Sequence, residues 1–258
     1  MDRLNKYLAH AGLGSRRHVE KLILAGRVAI NGRTVRELAT HVEAGQTVSV
    51  DSDPVKTEKH VYWIVNKPRG VVCTNYDPAR RPKAVDLVPQ VAQRVYTVGR
   101  LDEASEGLLL FTNDGDLAHR LMHPRFGVEK TYVVQVAGKP SHEDVQKLLK
   151  GVWLSEGHVQ ARHVKRLKSQ GDRSWLRIVL NEGKNREIRR MLARLGHKVL
   201  RLERTEFGPI ELGHLAPGKS RRLNHAEVEG LKQAASRRAD GRRPAGHDAA
   251  RQEIIMEE

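Results

Sequence analysis

The stretch VGRLDEASEGLLLFTNDG, residues 98–115, organises the reading of this chain. It begins at the end of an apolar run, Val95–Val98, and crosses a charged loop. It then enters an unbroken apolar run, Leu108–Thr112, that stops at Asn113-Asp114-Gly115. Short apolar runs bounded by turn residues fit buried strands. The loop between them carries Asp102, and two buried strands are a rigid mount for a carboxylate. On local pattern alone, the plainer reading is a loop aspartate closing an Asx turn.

Outward from this segment, Val61–Val65, Tyr132–Val136 and Trp175–Leu180 also read as strands. Leu117–Met122 reads as a helix, and Ser141 with Asp144 forms a capping signature before a helix ending at Gly151. Asn185 is placed to cap a helix with Ile188, Met191, Leu192 and Leu195 inward and Gly196 as its stop. Asn224 with Glu227 opens a last helix. The strands do not alternate with helices of crossover length. The expected class is therefore α+β, a mainly antiparallel sheet with helices packed on it.

Residues 1–50 read as a separate small unit of two helices followed by short strands. Leu4, Tyr7, Leu8 and Ala11 share one helical face, and Gly12 and Gly14 stop that helix. Ser15 caps a second helix with Val19, Leu22 and Ile23 inward and Gly26 at its end. Asn31-Gly32 between Val28–Ile30 and Thr34-Val35 is a hairpin signal, and Thr47–Val50 closes the unit. Lys and Arg outnumber Asp and Glu eight to four here, and the excess makes RNA contact the favoured role. The candidates are Arg3, Lys6, Arg16, Arg17, Lys21, Arg27 and Arg33. Residues 51–60 read as a polar linker, 61–235 as the larger domain, and 236–258 as a disordered basic and polar tail.

The net charge of +15 favours a polyanionic partner, with nucleic acid ahead of a membrane surface. No apolar run is long enough to span a bilayer, and the first residues lack the apolar core of a secretory signal. The one cysteine, Cys73, cannot form an intramolecular disulfide, which suits a reducing cytoplasm, and reads as a small buried hydrophobe. A monomer is expected. His119 and His123, four apart on a helix, have no third ligand pattern, so no metal is expected.

Five segments, in order, give the chain a resemblance. They are NKPRG at 66–70, GRLD at 99–102 with SEGLLLFTNDG at 105–115, EKTY at 129–132 and EGKNREIRRM at 182–191, behind the basic unit 1–50. Together they resemble the RsuA-type ribosomal RNA pseudouridine synthases, with the large-subunit synthase B branch the nearest, and the N-terminal unit resembles an S4 RNA-binding domain. The likeness covers roughly nine-tenths of the chain and leaves out the tail.

The resemblance implies isomerisation of uridine in ribosomal RNA, most simply the 23S large-subunit RNA, with small-subunit 16S RNA as the alternative substrate. It assigns catalysis to Asp102, stacking on a flipped uracil to Tyr132, and ion pairing with Asp102 to Arg189. Arg100, Leu180, Arg186 and Lys67 are the expected substrate contacts. The carboxylate attacks C1′ or C6, or removes the 2′ proton; all three routes remain open. Uridine isomerisation gains and loses no atoms or electrons, so no cofactor is expected. Glu103 and Glu106 are not required, because the uracil is retained rather than lost to water. A non-catalytic rRNA-binding or ribosome-assembly protein is the principal rival. A methyltransferase or deaminase lacks its cofactor loop or zinc triad in this sequence.

Overall fold

The computed structural model describes residues 1–236. Most of the expected tail, 236–258, lies outside the described residues; Ser236 itself ends the last helix.

The N-terminal unit runs β1 (Asp2–Arg3), α1 (Leu4–His10), α2 (Arg16–Leu24), β2 (Val28–Ile30), β3 (Arg33–Val35), β4 (His41–Val42), β5 (Val48–Val50) and β6 (Asp53–Pro54). Ser15 caps α2 by accepting the His18 amide, as its position predicts. Asn31 and Gly32 both take positive φ, 49° and 77°, the conformation that a two-residue hairpin turn demands between β2 and β3. Leu4, Leu8, Val19 and Ile23 close this unit's own core against β2 and β5. The expected linker is shorter than 51–60: β6 pairs with β5, so Asp53 and Pro54 belong to the small sheet.

The larger domain continues through β7 (Tyr62–Lys67), β8 (Tyr96–Val98), β9 (Glu106–Thr112), α3 (Gly115–Met122), β10 (Lys130–Ala137) and α4 (His142–Lys150). A hairpin, β11 (Val152–Leu154) and β12 (Gly157–Val159), precedes β13 (His163–Gln170), β14 (Arg173–Leu180) and α5 (Glu187–Arg194). The chain closes with β15 (Val199–Phe207), β16 (Ile210–Glu211), β17 (Ser220–Arg222) and α6 (His225–Ser236). Strand order across the main sheet is β13-β14-β10-β15-β9-β7-β17, with β8 beside β9 and β16 beside β15. Among the described strands of this sheet, every pairing is antiparallel except β15 with β9, so the α+β expectation holds.

Helices cover both faces of this sheet. Leu109 and Phe111 of β9 pack with Leu148 of α4 and Ile188 of α5; Leu108 and Leu110 pack with Leu117 of α3 and Leu231 of α6. A strand buried on both sides has no polar face to alternate with, which explains the unbroken apolar run. Truncating one such leucine to alanine costs about 2–5 kcal/mol.

The parallel join depends on Gly107. It pairs with Arg204 at φ 100°, and a Cβ there would lie 2.3 Å from the Arg204 carbonyl oxygen. Only glycine permits that approach, and it sits just past the loop that holds Asp102.

Candidate active site

A cavity of about 670 Å³ opens where the β8–β9 loop, the β10 strand and the start of α5 meet. Its lining includes Arg100, Asp102, Tyr132, Leu180 and Arg186. The Asp102 loop is held by its own backbone: Ser105 N–H donates to the Asp102 carbonyl at 3.0 Å, and Gly70 N–H donates to the Glu103 carbonyl at 2.9 Å. The second bond ties the loop to the turn that follows β7. The Asp102 side chain is about one-third exposed, at 31 %.

Strand register builds the floor. Lys130 and Tyr132, two apart on β10, point to one face. Leu180 lies opposite Lys130 on β14, Phe207 lies opposite it on β15, and Arg204 lies opposite Tyr132. Tyr132 and Leu180 are buried, apolar surfaces against which a planar ring can stack.

The roof comes from α5. Its start is shifted from the expected Asn185: Glu187 Oε2 accepts the Lys184 amide at 2.9 Å, closing residues 184–187 as a turn. Arg186 becomes the N-cap, with its backbone in the left-handed region at φ 49°. Nη1 of Arg186 reaches Asp102 Oδ2 at 3.4 Å.

Arg189 does not pair with Asp102 as expected. It donates from Nη2 to the Ala104 carbonyl at 3.1 Å and Ser105 Oγ at 3.3 Å, and from Nη1 to the Val199 carbonyl at 3.5 Å. Burial, with Arg186 repulsion added, lowers its pKa from the ordinary arginine value. It thus clamps the loop backbone, one turn of helix beyond the arginine that faces the carboxylate.

A family model described as RNA pseudouridylate synthase matches residues 61–194, and an S4 domain model matches residues 2–48. The chain belongs to the RNA pseudouridylate synthase family. It is 40% identical over 237 residues to a protein of Bacillus subtilis named ribosomal large subunit pseudouridine synthase B, covering 91% of this chain and 97% of that one. It is 41% identical over 231 residues to an uncharacterized RNA pseudouridine synthase of Aquifex aeolicus, covering 89% and 93%. A solved structure described as a pseudouridylate synthase superposes with a TM-score of 0.63 at 28% identity, covering 90% of this chain and all of that one.

Within this pseudouridylate synthase fold, Lys67 is corrected from substrate contact to strut. It is fully buried and donates to the carbonyls of Pro68 at 2.9 Å and Val71 at 2.8 Å, shaping the turn that follows β7. Glu103 and Glu106, set aside in the sequence, are engaged by Arg81 and Arg201. In the S4 unit, Lys6 bridges Asp2 and, at 2.6 Å, Asp116 of α3, while Arg27 pairs with Asp51. These two cations hold structure, whereas Arg3, Arg16, Arg17, Lys21 and Arg33 lie exposed. The two units also touch where His10 stacks on His60 with centroids 4.4 Å apart.

Sequence reasoning passed over Lys130 and Arg204, both buried and both in the cavity wall. For Lys130 a signal existed, since alternation along β10 puts it on the Tyr132 face. Arg204 could not be found that way, because only the β10–β15 pairing brings it there.

Proposed function

We propose that this protein converts a uridine of ribosomal RNA, in the large subunit, into pseudouridine, with Asp102 as the essential carboxylate. The observation that carries the reading is the cavity itself: Asp102 shares its wall with a buried tyrosine and leucine around a space large enough for a nucleoside. The name of the Bacillus subtilis relative supports the large-subunit choice.

Asp102 sits on a loop, inside a cavity that a base stacked in a helix cannot enter. The uridine therefore leaves its stack, at about a few kcal/mol, and backbone contacts to the basic surface offset that cost. Tyr132 and Leu180 offer the extruded ring an apolar face to stack on. Arg186 orients the carboxylate. Asp102 then attacks C1′ or C6 or removes the 2′ proton, the N1–C1′ bond breaks, the ring turns, and C5 joins C1′. Arg189 keeps the loop in position through Ala104 and Ser105. The exposed cations of the S4 unit grip phosphates at a distance from the cavity.

The test is pseudouridine formation on unmodified large-subunit rRNA, with wild type and Asp102→Asn compared and RNA binding measured alongside. Product from wild type alone, with equal binding, is the expected result. Product on small-subunit RNA only would redirect the substrate. Binding without product on either RNA or on precursor particles would favour a non-catalytic binding protein.

A further inference from the structure

Two buried cations lie under the cavity, and among the described residues neither forms an ion pair with a carboxylate. Lys130 is 6 % exposed and Arg204 is 2 % exposed, and both line the site. Each donates to a main-chain carbonyl: Lys130 Nζ to Val128 at 2.9 Å, Arg204 Nε to Leu108 at 2.7 Å. Arg204 Nη2 is buried with no hydrogen-bond partner among the described residues. Both approach the ring of Phe207, with centroid distances of 5.4 Å to Lys130 Nζ and 5.2 Å to the Arg204 guanidinium. The carboxylate acting on Lys130, Glu187 on α5, accepts the Lys184 amide, and burial raises its pKa. Buried cations are ordinarily matched by carboxylates, because desolvating an unmatched charge is costly. A site that retains two of them beside a reactive pocket holds a field in place for charge that arises during the reaction.

We infer that Lys130 and Arg204 form a cationic floor that stabilises the uracil as an anion while it is detached from C1′. This rests on the proposed isomerisation. When the N1–C1′ bond breaks, its electron pair leaves with N1. C1′ is compensated by a bond to an Asp102 oxygen or by loss of the 2′ proton. The ring carries one negative charge, spread over its nitrogens and oxygens, until a pair at C5 forms the new bond to C1′. C5 then gives up its proton, N1 takes one, and any proton taken from C2′ is returned, so the product is an isomer. The floor acts only while the charge exists, so it speeds the chemistry rather than tightening ground-state binding.

The charged groups facing Lys130 are Arg204 on β15 and Glu187 on α5, with Asp102 closing the cavity from the β8–β9 loop. Burial, with Arg204 repulsion added, pushes the lysine down to about 8. The floor therefore loses half its charge in mildly alkaline solution.

The experiment compares wild type, Lys130→Met and Lys130→Arg in single-turnover kinetics on large-subunit rRNA from pH 6 to about 10, using the full chain. Binding of barbiturate, a planar pyrimidine anion, and of neutral uracil is titrated in parallel. Loss of one preorganised charge should lower the rate about a hundredfold in Lys130→Met with KM little changed. Lys130→Arg should restore most of the rate and move the alkaline limb upward, because arginine stays protonated. Wild type should bind barbiturate at least about tenfold more tightly than uracil, a preference lost in Lys130→Met. A full rate in Lys130→Met, or equal falls in Met and Arg variants together with a lowered unfolding temperature, overturns the inference. A barbiturate preference without any pseudouridine from wild type would leave the anion site standing and remove the proposed function instead.

Discussion

Nη1 of Arg186 lies 3.4 Å from Oδ2 of Asp102, and the Arg186 and Asp102 side chains are 49 % and 31 % exposed. A pair this open is screened by water, so its main effect is orientation rather than raw attraction. Three residues on, Arg189 holds the Asp102 loop by its main chain. The two arginines therefore fail differently when removed.

Arg186→Gln should lower kcat about tenfold with little change in stability, because it leaves the loop clamp intact. Arg189→Ala should leave the Ala104 and Val199 carbonyls without their donor, costing about 1–3 kcal/mol of stability together with activity. Arg189→Lys should not rescue it, since a point charge cannot reproduce the fork. Denaturant melts and turnover on the same preparations separate the two. Equal destabilisation by both substitutions would contradict the division of labour.

Gly107→Ala places a methyl against the Arg204 carbonyl, at a backbone conformation that alanine avoids. A loss of about 3 kcal/mol or more is expected, with activity reduced further because the strand begins where the Asp102 loop ends. A thermal melt within a few degrees of wild type would show that the β15–β9 join is looser than this contact implies.

The depressed lysine at position 130 carries a stability signature. Below about pH 8 the lysine is charged in both folded and unfolded chains, and the burial penalty is present in full. Between about 8 and 10.5 the unfolded chain holds the proton and the folded chain releases it, so stability climbs with pH. Lys130→Met lacks this climb and should exceed wild type at neutral pH by up to ~3 kcal/mol. Unfolding free energies measured at pH 7 and pH 10 check both statements, and parallel pH curves for the two proteins would contradict them.

In the S4 unit, Arg16 and Arg17 occupy the first turn of α2, which contains no acidic residue. Helix polarity disfavours cations there, so phosphate contact is the better account of them. Replacing both with alanine should reduce the slope of log affinity against log salt by up to ~2. The slope for Lys6→Ala should change less, since Lys6 is engaged by Asp2 and Asp116. Unaltered slopes in the double variant would remove these arginines from the RNA surface.

Much of the fold was legible in local pattern. The capping box of Ser141 and Asp144 and the Asn224–Glu227 pair at α6 both form as their spacing predicts. β13 was not legible, because an edge strand of exposed polar residues has no apolar alternation to reveal it. β15 was hidden for a related reason: its charged residues find partners on neighbouring strands, as Arg204 does on Leu108 and Arg201 on Glu106. At the other end of α5, the spacing that suggested an Asn185 cap ignored the competing claim of the Glu187 carboxylate on Lys184.

By itself, the sequence determined that Asp102 sits on a loop between two buried strands, that a basic helical unit precedes the larger domain, and that the motifs belong to one family. Those properties follow from periodicity, turn chemistry and motif order, which are local. Only the tertiary structure decided which arginine meets the aspartate, that Lys67 is a strut, and that Lys130 and Arg204 share a floor beneath the cavity. Each of these depends on where strands pair and helices dock, and a shift of one residue in register would turn a side chain to the opposite face.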